Sequence, residues 1–341
     1  MKQTKKNSVS HLAVFVALLW LLASAEVASA QIKVNIVHPG AVGAAAVPLP
    51  IAHEQGFFAK HGIQTKLVFR PGAGTARLTE DDPFGYIGAP FALQQAVRGT
   101  KLKILASVTT GRLSNHLVAR SDIRKPEELR GKRFGVLGLG TGIWINTVLA
   151  LEHLGLDPKR DNISILEVGN LPQMAQALEA GRIDAAVLSP AQSSQLKQKD
   201  FTVLLDLYQA NLYGPQNAVA VTESYLRQYP DVVEKVVAAM VESLAFSLSP
   251  KNKSTVLKTI MKEFNISEPA AAEEGFQQFF HTVNRKPYPT VDRLKNMQRV
   301  MALHDPEMLK LKVEDVIEDR FVRKLDESGV IDRLYSTYGV K

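Results

Sequence analysis

Short apolar segments alternate with helical segments from residue 32 to residue 222, and glycines such as Gly62 and Gly155 follow the helical ones. The apolar segments have the length and the flanking turn residues that are typical of strands. Strands alternating with helices predict an α/β fold in which most strands of a sheet run parallel. The predicted strands cover residues 32–37, 63–69, 84–87, 101–108, 133–137, 163–168, 183–188 and 202–207.

The alternation of strands and helices is interrupted twice. Residues 115–120 and 217–221 read as extended segments, and amphipathic helices dominate after residue 215. A chain of 341 residues also exceeds the size at which one hydrophobic core stops growing. We therefore expect two lobes joined by a two-strand hinge. Lobe 1 would combine residues 31–114 with the more helical residues 215–341, and lobe 2 would hold residues 115–214.

The N-terminal residues 1–30 have the pattern of a cleaved signal peptide. Lys2, Lys5 and Lys6 precede an apolar run at 12–25, and Ala28-Ser29-Ala30 supplies small residues for cleavage. The run is shorter than the ~20 apolar residues that a membrane-spanning helix needs. We expect a mature, soluble chain that begins at Gln31.

Composition excludes several classes of protein. The chain has no cysteine, which excludes disulfide scaffolds, thiolate metal sites and cysteine nucleophiles. The net charge is +7, but the basic residues are scattered and alternate with acidic ones. No basic stripe interleaved with aromatic residues is present, so nucleic acid is not an expected partner. A mild positive field favours an anionic small ligand. No metal-ligand spacing or cofactor motif is present, and we expect a monomer without cofactor or catalytic residues.

Four segments, in this order, resemble those of the nitrate/sulfonate/taurine-type periplasmic binding proteins. They are Glu54-Gln55-Gly56-Phe57-Phe58 with Gly62-Ile63, Gly85-Tyr86-Ile87-Gly88-Ala89-Pro90, Pro126-Glu127-Glu128-Leu129-Arg130-Gly131-Lys132-Arg133, and Ala177-Leu178-Glu179-Ala180-Gly181-Arg182-Ile183-Asp184-Ala185. Most of these residues are expected to be structural: glycines that end helical turns, phenylalanines in the core, and Asp184 bracing a turn.

The resemblance implies a solute-binding protein that delivers a small ligand to an inner-membrane ABC permease. It implies two lobes with the ligand in the cleft between them. Without a cysteine to carry a lipid anchor, such a protein is expected to diffuse freely in a periplasm. The small residues from Gly40 to Ala46 leave room for a ligand larger than an inorganic anion.

The predicted site follows from the rule that ligands bind beyond the carboxyl ends of parallel strands. The glycine-rich turn Gly138–Gly142 opens a helix, whose free N–H groups attract anions, and Thr141 could add a hydroxyl donor. Arg112 could pair with an acidic group. Trp144 and Tyr213 could enclose a planar body, although Trp144 could equally be a core residue. The predicted ligand-binding residues are Pro39, Gly40, Ala89, Pro90, Thr109, Thr110, Arg112, Gly140, Thr141, Gly142, Trp144, Ser189, Asn211 and Tyr213.

Three other functions remain as alternatives. A nucleotide-dependent oxidoreductase would use Gly138–Gly142, but Ile143 stands where its fingerprint needs the last glycine. A thiamine-pyrimidine synthase relative shares the fold, but it relies on a cysteine-rich motif. A periplasmic sensing partner of a membrane kinase is not separable from a transport protein by sequence.

Overall fold

A computed structural model describes residues 32–39, 47–70, 76–263 and 265–340. The predicted signal peptide and the small-residue stretch 40–46 lie outside the described residues. The described chain forms two five-stranded sheets flanked by helices, so the α/β prediction is confirmed.

The first sheet has the strand order β2-β1-β3-β10-β4. Its strands are β1 (Ile32–His38), β2 (Ile63–Phe69), β3 (Phe84–Gly88), β4 (Leu102–Ser107) and β10 (Asn217–Thr222). Strand β1 pairs in parallel with β2 and β3, whereas β10 is antiparallel to both β3 and β4.

The second sheet repeats this plan with the order β7-β6-β8-β5-β9. Its strands are β5 (His116–Ala119), β6 (Arg133–Val136), β7 (Ser164–Glu167), β8 (Ala185–Leu188) and β9 (Thr202–Asp206). Here β6 is parallel to β7 and β8, and β5 is antiparallel to β8 and β9. Both sheets are therefore mixed, with one antiparallel strand in the fourth position.

Each antiparallel strand follows the place where the chain passes from one sheet to the other. The first passage, residues 108–115, leads into β5, and the second, residues 207–216, leads into β10. The passages lie side by side: the Gly214 N–H donates to the Gly111 carbonyl (2.8 Å), and the Leu113 N–H donates to the Leu212 carbonyl (2.9 Å). Two adjacent extended segments thus connect the two sheets.

Thirteen α-helices are assigned within the described residues. They are α1 (Pro48–Glu54), α2 (Phe57–Lys60), α3 (Ala89–Val97), α4 (Gly142–His153), α5 (Leu171–Glu179), α6 (Pro190–Lys197), α7 (Glu223–Gln228), α8 (Pro230–Leu248), α9 (Lys253–Glu263), α10 (Pro269–Thr282), α11 (Val291–Ala302), α12 (Arg320–Glu327) and α13 (Val330–Thr337). Side-chain caps explain some of the starts: Asn170 and Ser189 accept hydrogen bonds from Gln173 and Gln192 in capping boxes.

The long helix α8 covers one face of the first sheet, and its core side chains, including Val233, Val237 and Leu244, are fully buried. Phe57 and Phe58 pack into the same core, as expected. The opposite face is covered by α3 and α11, and Trp144, Ile145 and Val148 of α4 pack there too. Helix α4 follows β6 of the second sheet. Its apolar side chains therefore pack a helix of the second sheet against the helices that cover the first sheet.

Asp184 braces the turn before β8, as the sequence predicts. Its carboxylate accepts from the Arg133 N–H (2.9 Å), from Arg133 Nε (2.9 Å) and from Arg133 Nη2 (2.8 Å). Arg133 holds the pKa of Asp184 at about 2, mainly through these side-chain hydrogen bonds. Within the part of the chain that is described, no helix is both long and apolar enough to cross a bilayer.

Candidate ligand-binding cleft

A cavity of about 470 Å³ lies where the strand ends of both sheets meet. Pro39 follows β1, Gly88 ends β3, Thr109 follows β4 and Leu137 follows β6, and all four line it. Asn217, the first residue of the antiparallel β10, lines the same space. This is the position in which open α/β sheets bind ligands.

Apolar side chains form much of the cavity wall. Leu49 and Pro50 of α1, Leu67 of β2, Ile143 of α4 and Pro215 of the second passage line it. Cavities of ~300–1,000 Å³ with apolar walls and a few converging polar groups are typical of small-molecule sites. The volume exceeds what a bare inorganic anion fills, so an organic body fits this wall.

Arg112 supplies a fixed positive charge to the cavity. Its Nη2 donates to the Tyr208 carbonyl (3.1 Å), and its guanidinium carbon lies 3.7 Å from the centre of the Tyr208 ring. Its Nε is buried without a hydrogen-bond partner. Among the described side chains, no carboxylate lies within ion-pair distance of this guanidinium. The group is therefore oriented by the protein and still lacks a counter-charge.

Two more polar groups of the wall are unpartnered. The hydroxyl of Tyr86, a residue that is 5% exposed, is buried with no hydrogen-bond partner, and burial raises its pKa, so it remains a donor. The Asn146 Oδ1 is also unpartnered, while its Nδ2 donates to Asn115 Oδ1 (3.3 Å). A buried polar group without a partner costs ~1–3 kcal/mol. A ligand that bonds these groups would recover that cost.

The glycine-rich turn before α4 is held by hydrogen bonds of the Thr141 side chain. The Thr141 hydroxyl donates to the Gly138 carbonyl (2.6 Å) and accepts from the Trp144 N–H (3.5 Å), so it caps the helix and its donor is already used. In this structure the Thr141 hydroxyl is therefore the N-cap of α4, and its expected role as a ligand donor stays a prediction. Gly142 and Ile143, the first two residues of α4, do line the cavity. The first N–H groups of a helix lack intrahelical partners and attract anions.

The remaining predicted site residues divide between the wall and the surroundings. Pro39, Thr109, Arg112 and Gly142 lie on the cavity wall. Gly140 faces a separate cavity of about 160 Å³, Trp144 is 5% exposed beside His304, and Ser189 caps α6. Thr110, Asn211 and Tyr213 belong to the two passages behind the cavity, and Gly40 lies outside the described residues.

Ala89 and Pro90, two of the predicted ligand-binding residues, offer no free N–H group at the start of α3. The Ala89 N–H donates to the Gln216 carbonyl (2.8 Å), and proline has no N–H to offer. Gly88 is the cavity-lining residue of this turn. The Ala89 N–H thus links the end of β3 to the second passage, and contact of this pair with a ligand stays a prediction.

The cavity wall also contains an acidic group that the sequence does not predict. Glu263, the last residue of α9, lines the cavity and lies beside Glu54 of α1. Burial and the neighbouring Glu54 raise the pKa of Glu263. Both oxygens of Glu54 accept from Lys262 Nζ at 2.9 Å, which lowers the pKa of Glu54.

A serine, a histidine and an aspartate meet at the second sheet, and none of the three lines the cavity. His116 Nδ1 lies 2.9 Å from Ser193 Oγ, and His116 Nε2 lies 3.7 Å from Asp206 Oδ2. Ser193 is 1% exposed inside α6, so its hydroxyl cannot reach a substrate. The arrangement joins β5, α6 and β9 and does not form a nucleophilic site.

Comparison with known proteins identifies the family. A family described as NMT1/THI5 like matches residues 44–253. The taurine-binding periplasmic protein of Escherichia coli K12 is 27% identical over 207 residues, which are 58% of this chain and 62% of that protein. The chain spans less than two thirds of the length of the curated relatives that it matches, from 34% to 62%.

Solved structures share the fold. A periplasmic sulfonate-binding protein, SsuA from Methylobacillus flagellatus KT, superposes with a TM-score of 0.68 at 18% identity over 87% of this chain and 95% of that one. The desulfurization enzyme DSZB superposes with a TM-score of 0.55 at 18% identity over 86% and 98%. One fold thus serves binding proteins and an enzyme. Since the family match extends over more than half of the sequence, the chain belongs to the NMT1/THI5-like family.

Proposed function

We propose that this protein is a periplasmic solute-binding protein that delivers a small organic anion, a sulfonate or carboxylate, to an ABC permease. The relatives named above bind taurine or sulfonates, which supports this ligand class. Transport through an inner-membrane permease and residence in the periplasm after cleavage at residue 30 belong to the same proposal.

The observation that carries the proposal is the pair of donors on the cavity wall. Arg112 Nε and the Tyr86 hydroxyl are buried and have no hydrogen-bond partner. An acid group accepts hydrogen bonds at several oxygens, and bonds with a guanidinium are among the stronger ones. The start of α4, at Gly142 and Ile143, adds the positive end of a helix dipole on the same wall. An anionic head group with an apolar body satisfies both the donors and the apolar wall.

Ligand capture would involve closure of two lobes. Residues 31–114 with 215–341 would form one lobe and residues 115–214 the other, with the two passages as the hinge. The cavity draws residues from both proposed lobes, Tyr86 from one and Ile143 from the other. A ligand that touches both walls stabilises the closed arrangement by its higher affinity for it.

Binding without turnover is the expected chemistry. The buried Ser193 has no access to the cavity, and the chain has no cysteine to act as a nucleophile. Among the described residues of the wall, the buried polar groups without partners belong to an arginine, a tyrosine and an asparagine amide, which suit recognition of a stable anion. The enzyme among the structural neighbours makes turnover the alternative to test.

A thermal-shift screen tests the proposed function. Purified protein is heated with taurine, linear alkanesulfonates, benzenesulfonates, the matching carboxylates and the corresponding neutral alcohols. We expect stabilisation by one or more acids and none by the alcohols. The ligand should be recovered chemically unchanged after incubation, as judged by mass spectrometry. Stabilisation by alcohols alone, by no organic acid, or a converted ligand would contradict the proposal.

A further inference from the structure

We propose that Glu263 is a specificity-determining residue that selects ligands carrying an ammonium group in addition to their acid group. This inference rests on the proposed function and names the ligand class more closely: an amphoteric organic acid with charges at two ends.

The first observation is the distribution of charge around the cavity. Among the described residues that line it, Glu263 is the one carboxylic acid and Arg112 the one guanidinium. His38 lines the cavity as well, but burial lowers its pKa and favours its neutral form. The two opposite charges come from different elements, α9 and the first passage, and do not pair with each other. A ligand with one positive and one negative group would complement both.

The second observation is that Glu263 lies in a group of charges that is not neutral. Glu263 and Glu54 are neighbouring carboxyl groups, and one lysine, Lys262, pairs with Glu54 from the solvent side. His53, beside Glu54, is hydrogen-bonded to Thr65 Oγ1 (2.7 Å), and its burial lowers its pKa. The two carboxyl groups of Glu54 and Glu263 therefore have one permanently charged cation beside them, the ammonium group of Lys262.

A ligand ammonium at the wall would provide the missing counter-charge. Two adjacent carboxyl groups disfavour full ionisation of the pair, and a nearby cation favours it. The cation would be placed inside the cavity, where screening by water is weaker than at the surface. Its desolvation would be offset by a charge-assisted hydrogen bond with Glu263.

The third observation is that the cavity already points to a ligand independently of Glu263. The Tyr86 hydroxyl, in a residue 5% exposed, is unpartnered on the same wall. Leu49 and Pro50 belong to α1, which carries Glu54, so apolar surface adjoins the acidic group. The expected ligand thus has an acid group, an apolar spacer and an amine.

Calorimetry with two isosteric pairs of probes tests the assignment. The first pair is 3-aminopropanesulfonate and 1-butanesulfonate, and the second is 4-(aminomethyl)benzenesulfonate and 4-ethylbenzenesulfonate. In each pair an ammonium replaces a methyl group. We expect the wild-type protein to bind the amino member of at least one pair about tenfold or more tightly than its partner, as a charged hydrogen bond of ~1.5–3 kcal/mol implies.

The Glu263→Gln variant should lose this preference and retain its affinity for the alkyl member. Glu268→Gln, at an exposed position just beyond α9, is the matched control and should keep the wild-type preference. Circular dichroism of both variants verifies the fold. An unchanged preference in Glu263→Gln, or no preference in the wild type, would overturn the role of Glu263 while sulfonate binding itself stands. Failure of every organic acid to bind would overturn the proposed function together with this inference.

Discussion

Arg112 and Tyr208 are joined twice, once by stacking and once by a hydrogen bond. The guanidinium carbon lies 3.7 Å from the centre of the tyrosine ring, and Nη2 donates to the carbonyl of the same residue at 3.1 Å. Arg112 belongs to the first passage and Tyr208 to the second, so the contact spans the hinge proposed above. It leaves Nε free to bind a ligand. The residue proposed to bind the anionic group of the ligand is therefore held by the segment that is expected to bend.

The unpartnered hydroxyl of Tyr86 should matter for binding and not for folding. We expect Tyr86→Phe to keep or slightly raise the melting temperature, because no hydrogen bond is lost and a buried polar atom is removed. Affinity for a sulfonate ligand should fall by about two- to tenfold, which corresponds to ~0.5–1.5 kcal/mol. Calorimetry and thermal unfolding measure the two effects.

Tyr335→Phe is the matched control for that experiment. Tyr335 is 3% exposed, and its hydroxyl donates to the Arg285 carbonyl at 2.9 Å, remote from the cavity. This variant should lose stability and keep its affinity. A Tyr86→Phe protein that is destabilised like Tyr335→Phe, with unchanged affinity, would show that the Tyr86 hydroxyl has a structural partner and no role in binding.

Gly111 is a position where the two passages come too close for a side chain. Its φ is +75°, and a Cβ there would lie 2.6 Å from the Gly214 carbonyl oxygen. Left-handed backbone costs a non-glycine residue ~1–2 kcal/mol, and the steric conflict adds to that. We expect Gly111→Ala to lower the free energy of unfolding, measured with urea, by more than ~2 kcal/mol.

The Gly62→Ala variant separates the cost of the left-handed backbone from the cost of the steric conflict. Gly62 has nearly the same φ, +74°, but nothing lies within 4 Å of its Cβ position. It should show the backbone cost of ~1–2 kcal/mol alone. Equal losses in the two variants would contradict the close approach of the passages at Gly111.

The lowered pKa of Asp184 predicts that the folded protein loses stability at acidic pH. Its pKa of about 2 in the folded protein lies below the ordinary value of 3.8, so its ionised form stabilises the fold. This contribution is complete above pH ~4 and is lost as the pH falls from ~4 towards 2. Asp184→Asn should lower the stability at pH 7 and flatten this part of the pH profile.

Urea unfolding of both proteins at pH 7, 4 and 3 checks this prediction. Asp161 has the same lowered pKa of about 2 beside Arg160 and remains in both proteins, so the difference between them isolates Asp184. The stability gap between wild type and variant should narrow as the pH decreases. A gap that stays constant from pH 7 to 3 would refute the bracing role of the ionised carboxylate.

A bidentate ion pair connects helices that flank different sheets. Arg299 of α11 donates to both oxygens of Glu152 of α4, at 2.8 and 2.7 Å. Both side chains are partly exposed, so we expect a coupling of only ~0.2–1 kcal/mol. If the pair favours the closed arrangement, Glu152→Gln and Arg299→Gln should each weaken ligand binding by up to about fivefold.

The charge-reversed double variant, Glu152→Arg with Arg299→Glu, provides the check. It should restore the affinity that either reversal alone removes, because the attraction is rebuilt with exchanged positions. Additive losses in the double variant, measured by calorimetry, would show that the two residues do not act as a pair in closure.

The elements of the fold could be predicted because their apolar periodicity is local. The predicted strand 63–69 matches β2, and the predicted strand 84–87 differs from β3 by one residue. The directions of β5 and β10 could not be predicted, because a strand's side-chain pattern is the same in parallel and antiparallel pairing. Helices α12 and α13 near the C-terminus were not predicted individually, since each has only eight residues.

Residues of the cavity wall could be predicted only where their place in the sequence, after a strand or at the start of a helix, implies their place in the fold. Pro39, Thr109, Arg112 and Gly142 were chosen because they follow strands or open a helix, and they line the cavity. Tyr86 lies within a strand whose residues are nearly all buried, so no alternation distinguishes the cavity side. Glu263 ends a helix whose orientation depends on its packing against α1. The capping role of Thr141 could not be distinguished from that of a ligand donor, because both have the same sequence signal.

The most direct test of the account is the affinity of the Arg112→Gln variant for 1-butanesulfonate, an anion without an amino group. Calorimetry should show binding to the wild-type protein and to the control Arg227→Gln, whose side chain is 68% exposed in an ion pair with Glu223. With thermal unfolding confirming the fold, Arg112→Gln should bind about ten- to a hundredfold more weakly, as loss of a ~1.5–3 kcal/mol charged hydrogen bond predicts. Equal affinity in Arg112→Gln and wild type would contradict an anion site centred on Arg112.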